Sequence, residues 1–252
     1  MGVGRLAMVL ALGCAVTPAA ATPGIVGGTA GIFHGTPTSE FPEVGGVAIR
    51  LRDLSLAACT GTLVAPTVVL TAAHCVVDAV QVGAVFFPGG GARLEILARD
   101  WIVHPEYDGI AHADIALVDL GSPAGAILPA MLSDKRVRRG RARMVGFGVD
   151  GADTQLRKRV GSVTLRSCPR RPRHLPSGAL GDSICWRPAH PRGADACVGD
   201  SGGPVFVSGH VAGVLSGKLS RSPTGCPGSL GWATDVATFR PWIEQHVAAA
   251  HP

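Results

Sequence analysis

The sequence predicts an all-β protein whose strands close into barrels, and three observations carry this. The chain of 252 residues holds 35 glycines and 19 prolines. Its apolar runs are short, and most are bounded by Gly, Pro, Asp or Ser, the mark of strands joined by turns. Between Gly121 and Gly140 the pattern lapses into Gly, Pro, Ser and charge, which separates two β units of similar size. Sheets of this kind avoid exposed edges by closing on themselves.

Taken in order, Val44–Arg50 is a Val/Ala/Ile run that reads as a strand. Gly61–Val64 and Val68–Thr71 flank the turn Ala65-Pro66-Thr67. Leu94–Ala98, Ile115–Val118, Arg143–Phe147 and Arg159–Leu165 are further strands, followed by Pro204–Val207, Val211–Leu215 and Gly231–Thr234. One helix is expected at the end, over residues 239–248. Pro241 fits its first turn, and Phe239, Trp242, Ile243 and His246 share a face.

The N-terminus has the form of an export signal. Arg5 precedes the apolar stretch Leu6–Val16, and Ala19-Ala20-Ala21 offers a small-residue cleavage site. Residues 1–21 are therefore read as a signal peptide and the protein as secreted, with lipid attachment at Cys14 the lesser alternative. Removing that segment takes away Cys14 and leaves Cys59, Cys75, Cys168, Cys185, Cys197 and Cys226. An even set suits an oxidising compartment, and spacing alone leaves the pairing open. No pair has metal-binding spacing, so no zinc site is expected.

The formal net charge is +5, with basic residues concentrated at Lys135–Arg143 and Arg157–Arg173. Such clusters suit acidic polymers or acidic substrates; they are read here as solvated loops. No aromatic residue interleaves with the arginines, which argues against nucleic acid as a partner.

Three local patterns carry chemistry. Thr71-Ala72-Ala73-His74-Cys75 follows an apolar strand, Asp114-Ile115-Ala116-Leu117 puts an acid ahead of one, and Gly199-Asp200-Ser201-Gly202-Gly203-Pro204 puts a serine in a glycine-rich turn. Each alone is more often structural. Together they supply a hydroxyl nucleophile, a base to take its proton and a carboxylate to orient that base, the three needs of acyl transfer. The glycines let backbone N–H groups turn toward a developing oxyanion.

In these motifs, their order and their spacing, the sequence resembles the chymotrypsin/trypsin family of serine peptidases, the standard template for this chemistry. The resemblance runs from about Ile32 to the C-terminal helix. It implies two antiparallel six-stranded β-barrels, the first at about 32–130 and the second at about 131–238, within a peptidase domain spanning 32–250. It implies His74 as general base, Asp114 as its orienting acid and Ser201 as nucleophile, with the N–H groups of Gly199 and Ser201 as oxyanion hole. Ser216 corresponds to the serine that supports the triad aspartate. The disulfides implied are Cys59–Cys75, Cys168–Cys185 and Cys197–Cys226.

Asp200 corresponds to the acid that pairs with a new N-terminal amine after zymogen cleavage. Ile25-Val26-Gly27-Gly28 matches the family tetrapeptide better. Ile32-Phe33-His34-Gly35 lies nearer the family's distance from the Phe41-Pro42 pair, and Ile32 is adopted. Residues 22–31 are then a short propeptide, which would end at 24 in the other case. Gly24 and Gly31 precede the two bonds, so a separate activating peptidase is expected.

Asp195, six residues before Ser201, takes the base of the primary pocket and implies cleavage after Arg or Lys. Gly231 matches a glycine that keeps the pocket wall open. Gly217 and Lys218 stand where the family usually reads Trp-Gly, and Lys218 is placed to contest Asp195. The stretch 81–97 has Glu95 as its single acid, so no calcium site is expected, nor any cofactor. A monomer acting on protein or peptide substrates, and open to protein protease inhibitors, is implied. The alternative is a catalytically silent relative that binds partners through its basic loops.

Overall fold

The computed structural model describes residues 32–89, 92–148, 157–172, 174–188, 193–219 and 228–250. The export segment, Cys14, Ile25 and Cys226 lie outside the described residues.

Six strands form the first barrel: β2 (Val44–Leu51), β3 (Leu56–Ala65), β4 (Val68–Thr71), β5 (Ala79–Gly89), β6 (Ala92–Val103) and β7 (Ala116–Leu120). They close in the order β2-β3-β4-β7-β6-β5, every pair antiparallel. The second barrel uses β8 (Gly140–Gly146), β9 (Arg159–Arg166), β10 (Ser183–Trp186), β11 (Pro204–Val207), β12 (His210–Leu219) and β13 (Leu230–Asp235). It runs β9-β10-β13-β12-β11-β8 and closes through β8–β9, with the two-residue β1 (Thr36–Pro37) added to β9. The expected double barrel is therefore the fold. One core fills the first barrel and continues through Val145, Phe206 and Val214 into the seam between the barrels, and a separate one lies within the second. Val47, Leu63, Leu70, Phe86 and Ile115 fill the first, and Met144, Leu165, Ile184, Val205 and Leu215 the second.

Among the described residues there are two helices, the single-turn α1 (Ala73–Val76) and the longer α2 (Val236–Ala250). α2 begins three residues before the sequence reading put it, because Asp235 caps it: its carboxylate accepts from the Ala237 N–H at 3.1 Å. Pro241 consequently lies inside the helix rather than in its first turn. Phe239 and Ile243 are buried, and Phe239 and Trp242 both pack edge-on against His104.

The basic segments are not simply loops. Arg141 and Arg143 lie on β8 and face Thr164 and Ser162 of β9, so strand pairing puts parts of both clusters on one hairpin.

Candidate active site

The site lies where the barrels meet, and each side chain is brought there by a short departure from a strand. β4 ends at Thr71 and the chain turns into α1, which carries His74. The Cys59–Cys75 disulfide ties that turn back to β3. Asp114 precedes β7, after Ala113 at φ +50°. The Asp114 carboxylate accepts from the backbone N–H of His74 at 2.9 Å, and its other oxygen lies 2.7 Å from His74 Nδ1. The aspartate is almost wholly buried, while a third of the imidazole stays exposed. A two-point contact of this kind fixes the ring's orientation and favours the tautomer with its proton on Nδ1, which leaves Nε2 as the accepting atom.

Asp114 is held from the second barrel as well. The Thr234 hydroxyl donates to its carbonyl at 2.9 Å, and the buried Asp182 accepts from the N–H of Ala113 at 2.8 Å. Among the described residues, no hydrogen bond joins Asp114 to Ser216, the serine expected to support it. Ser216 falls at a bulge between β12 and β13, where its hydroxyl accepts from the indole N–H of Trp232 at 3.1 Å.

Ser201 sits in the turn before β11. It lines a cleft of about 600 Å³ together with His74, Cys59, Cys75, Val198 and Gly199. No hydrogen bond is closed between Ser201 and His74; such contacts commonly tighten only when substrate binds. Gly199 has φ +88°. Among the described residues, no acceptor engages the N–H of Gly199 or of Ser201. Gly202 must be glycine: at φ +81°, a Cβ there would stand 2.1 Å from the Thr71 hydroxyl and 2.3 Å from the Thr60 carbonyl.

Thr60 is a residue that sequence reasoning missed. Its hydroxyl donates to the Gly199 carbonyl at 2.8 Å and accepts from the Phe147 N–H at 3.0 Å, and its N–H donates to the Ser201 carbonyl at 2.8 Å. A buried threonine of the first barrel thus holds the serine turn of the second. No motif marks it, and it falls just before the strand expected at Gly61–Val64.

Asp200 is fully buried. It accepts from the N–H of Cys197 at 2.8 Å, from that of Gly148 at 2.9 Å, and from the N–H of Ile32. Gly146 leaves it room, because a Cβ there would lie 2.0 Å from the carboxylate. Burial raises the Asp200 pKa to about 6, against the pull of its three N–H donors and of Lys218. Ile32 is itself wholly buried in the second core, and Phe33 exchanges two backbone hydrogen bonds with Asp195.

Asp195 does not offer a free carboxylate to the pocket. Lys218 stands 3.9 Å away and the Trp186 indole donates to it at 2.9 Å, so the acid expected to meet a basic substrate is already occupied. Gly217 and Gly231 flank that region, packed against the rings of Trp232 and Trp186.

Cys168 and Cys185 form a second disulfide, and Cys197 is also disulfide-bonded. Cys59, His74 and Cys75 cluster closely, but the two sulfurs are bonded to each other and give no thiolate for a metal.

Comparison with known proteins gives matches over most of the chain. The sequence profile described as Trypsin matches residues 33–243. Trypsin V-B of Rattus norvegicus is 32% identical over 213 residues, covering 76% of this chain and 80% of that one. An uncharacterized peptidase of Corynebacterium glutamicum is 28% identical over 195 residues, which are 74% of this chain but 63% of that longer one. The solved structure of HL collagenase superposes with a TM-score of 0.70 at 24% identity, covering 89% of this chain and 99% of the other.

Proposed function

This chain belongs to the trypsin family, and from that premise we propose that it is a secreted serine endopeptidase that cleaves peptide bonds through an acyl-enzyme. The observation that carries the reading is the His74–Asp114 pair, buried on the acid side and open on the imidazole side, in one cleft with Ser201. In the proposed reaction Ser201 Oγ attacks the substrate carbonyl as His74 Nε2 takes its proton. Asp114 stabilises the imidazolium that forms. The N–H groups of Gly199 and Ser201 receive the oxyanion. His74 then returns the proton to the leaving amine, and water hydrolyses the ester by the same steps in reverse order.

Secretion is inferred from the export-type N-terminus and from the disulfides, which persist in oxidising compartments. Protein or peptide chains are the substrates that family membership implies. Activation is proposed to follow cleavage before Ile32 by another peptidase, supported by the buried Ile32 whose N–H already reaches Asp200. A preference for Arg or Lys would rest on Asp195. Lys218 stands against it, so what we propose is the reaction without a basic residue at the cut.

The test is hydrolysis of a mixed peptide library by protein cleaved before Ile32. Ser201→Ala and His74→Ala should each lower turnover by about 10⁴- to 10⁶-fold while the fold is kept. Near-normal turnover by Ser201→Ala would sink the mechanism.

A further inference from the structure

The pocket beside Ser201 presents a cation where the sequence suggested an anion. Asp195, at its base, is completely buried. One carboxylate oxygen accepts from Trp186 Nε1 at 2.9 Å and from the Ala196 N–H at 3.0 Å. The other accepts from the Gly228 N–H at 2.5 Å, and the Lys218 ammonium stands 3.9 Å from it. The same ammonium donates to the Ala196 carbonyl, and the lysine side chain is 15% exposed. Burial lowers the Lys218 pKa, while Asp195 and Asp200 pull it back up.

The remaining space is small. A cavity of about 130 Å³ is lined by Ser201, Ser216, Gly217, Trp186, Trp232 and Lys218, and Asp195 is not among its described lining residues. Gly231, expected to keep the wall open, is instead covered by an indole, and so is Gly217. A Cβ on Gly231 would lie 2.3 Å from the Trp186 ring, and one on Gly217 would lie 2.4 Å from the Trp232 ring. A guanidinium or ammonium arriving from a substrate would meet Lys218 first. It would find a carboxylate already satisfied by three N–H groups and a cation, so its own desolvation would go uncompensated. A substrate carboxylate fares no better, because it would bring a second anion to a lysine already held by Asp195 and the Ala196 carbonyl.

We propose that Lys218 is a specificity-determining residue that closes the primary pocket to Arg and Lys and leaves it to a small uncharged side chain. This rests on the peptidase reading of the cleft. A cavity of about 130 Å³ suits alanine or valine; arginine, lysine and glutamate would each bring a charge that the site does not take. Lys218 acts by neutralising Asp195 and by occupying the room a long side chain would need.

The experiment has two arms, both on protein cleaved before Ile32. In the first, benzamidine, a small aromatic cation, is titrated by calorimetry against the Ser201→Ala protein, with and without Lys218→Gly. Removing the lysine should tighten benzamidine binding at least 100-fold; equal affinity with and without it would overturn the proposal. In the second, matched peptides with Ala, Val, Leu, Phe, Arg, Lys or Glu before the scissile bond are compared by kcat/KM. Ala and Val should lead Arg and Lys by at least tenfold, and Lys218→Gly should raise Arg cleavage at least 100-fold. A lead by Arg, Lys or Glu while Lys218 is present would overturn it. If Lys218→Gly does not fold, Asp195→Asn decides: with its partner gone Lys218 should admit Glu, raising Glu cleavage at least tenfold while Arg and Lys stay low, whereas a selective loss of Arg and Lys cleavage would overturn the proposal by showing that Asp195 receives the substrate. If Ser201 proves unreactive and no peptide is cut, the peptidase reading has failed, and the benzamidine arm alone still judges the pocket.

Discussion

Asp200 shows how much a single buried group can report. Its carboxyl is raised from an ordinary 3.8 to about 6 because burial disfavours the charged form. The folded, uncleaved chain therefore holds this proton more tightly than the unfolded chain does. The stability it contributes is complete below pH ~4 and is lost as pH rises through 6, a loss on the order of 3 kcal/mol. Cleavage before Ile32 replaces the amide N–H with an ammonium, which would pull the Asp200 pKa down and reverse the trend. The melting temperature of cleaved Ser201→Ala protein should therefore pull ahead of the uncleaved form between pH 4 and 7. Parallel curves would contradict the amine–Asp200 pairing. At this scale the motif residues were legible because acyl transfer restricts which side chains can serve and in what order. Lys218 was visible as a departure, but its meaning was not, since only the packed chain brings its ammonium to Asp195. Trp186 gave no signal at all; nothing in a Cys-Trp pair announces an indole aimed at a carboxylate nine residues away.

Among the elements, α2 is anchored more firmly than its sequence suggests. Asp235 both caps it and accepts from Arg136 Nε at 2.9 Å, with its side chain almost fully buried. Asp235→Ala should therefore destabilise the protein by about 2–4 kcal/mol, read as a lower urea midpoint. A midpoint unchanged within error would deny both contacts. The cap explains why the sequence alone points to a later start: a proline is a strong first-turn signal, and here a stronger start lies before it. Strands with clear Val/Ile alternation were legible. β5 and β10 were not, the first because Gly83 and Gly89 dilute its apolar pattern, the second because only four residues, Ser183–Trp186, lie between irregular segments.

For the molecule as a whole, the candidate site is assembled where the two barrels meet, and Thr60 is a point where they are joined. Thr60→Val keeps the volume but strands the Phe147 N–H and frees the Gly199 carbonyl. Stability should fall by about 1–3 kcal/mol, and kcat should fall at least tenfold with little change in KM, because the turn that carries Ser201 loosens. A stability loss with kcat intact would make Thr60 merely structural. Closure of each barrel was foreseeable from the turn-rich pattern and the lapse between Gly121 and Gly140; the contacts across the two barrels were not, because no local period encodes them. The central claim is that Ser201 is activated by His74 in a cleft completed by cleavage before Ile32. The most direct measurement is intact mass and peptide mapping after treatment with an organophosphonate that reacts only with activated serines. The account predicts a single adduct, on Ser201, in the cleaved protein and none in cleaved His74→Ala. An unlabelled cleaved protein, or an adduct on any other residue, would contradict it.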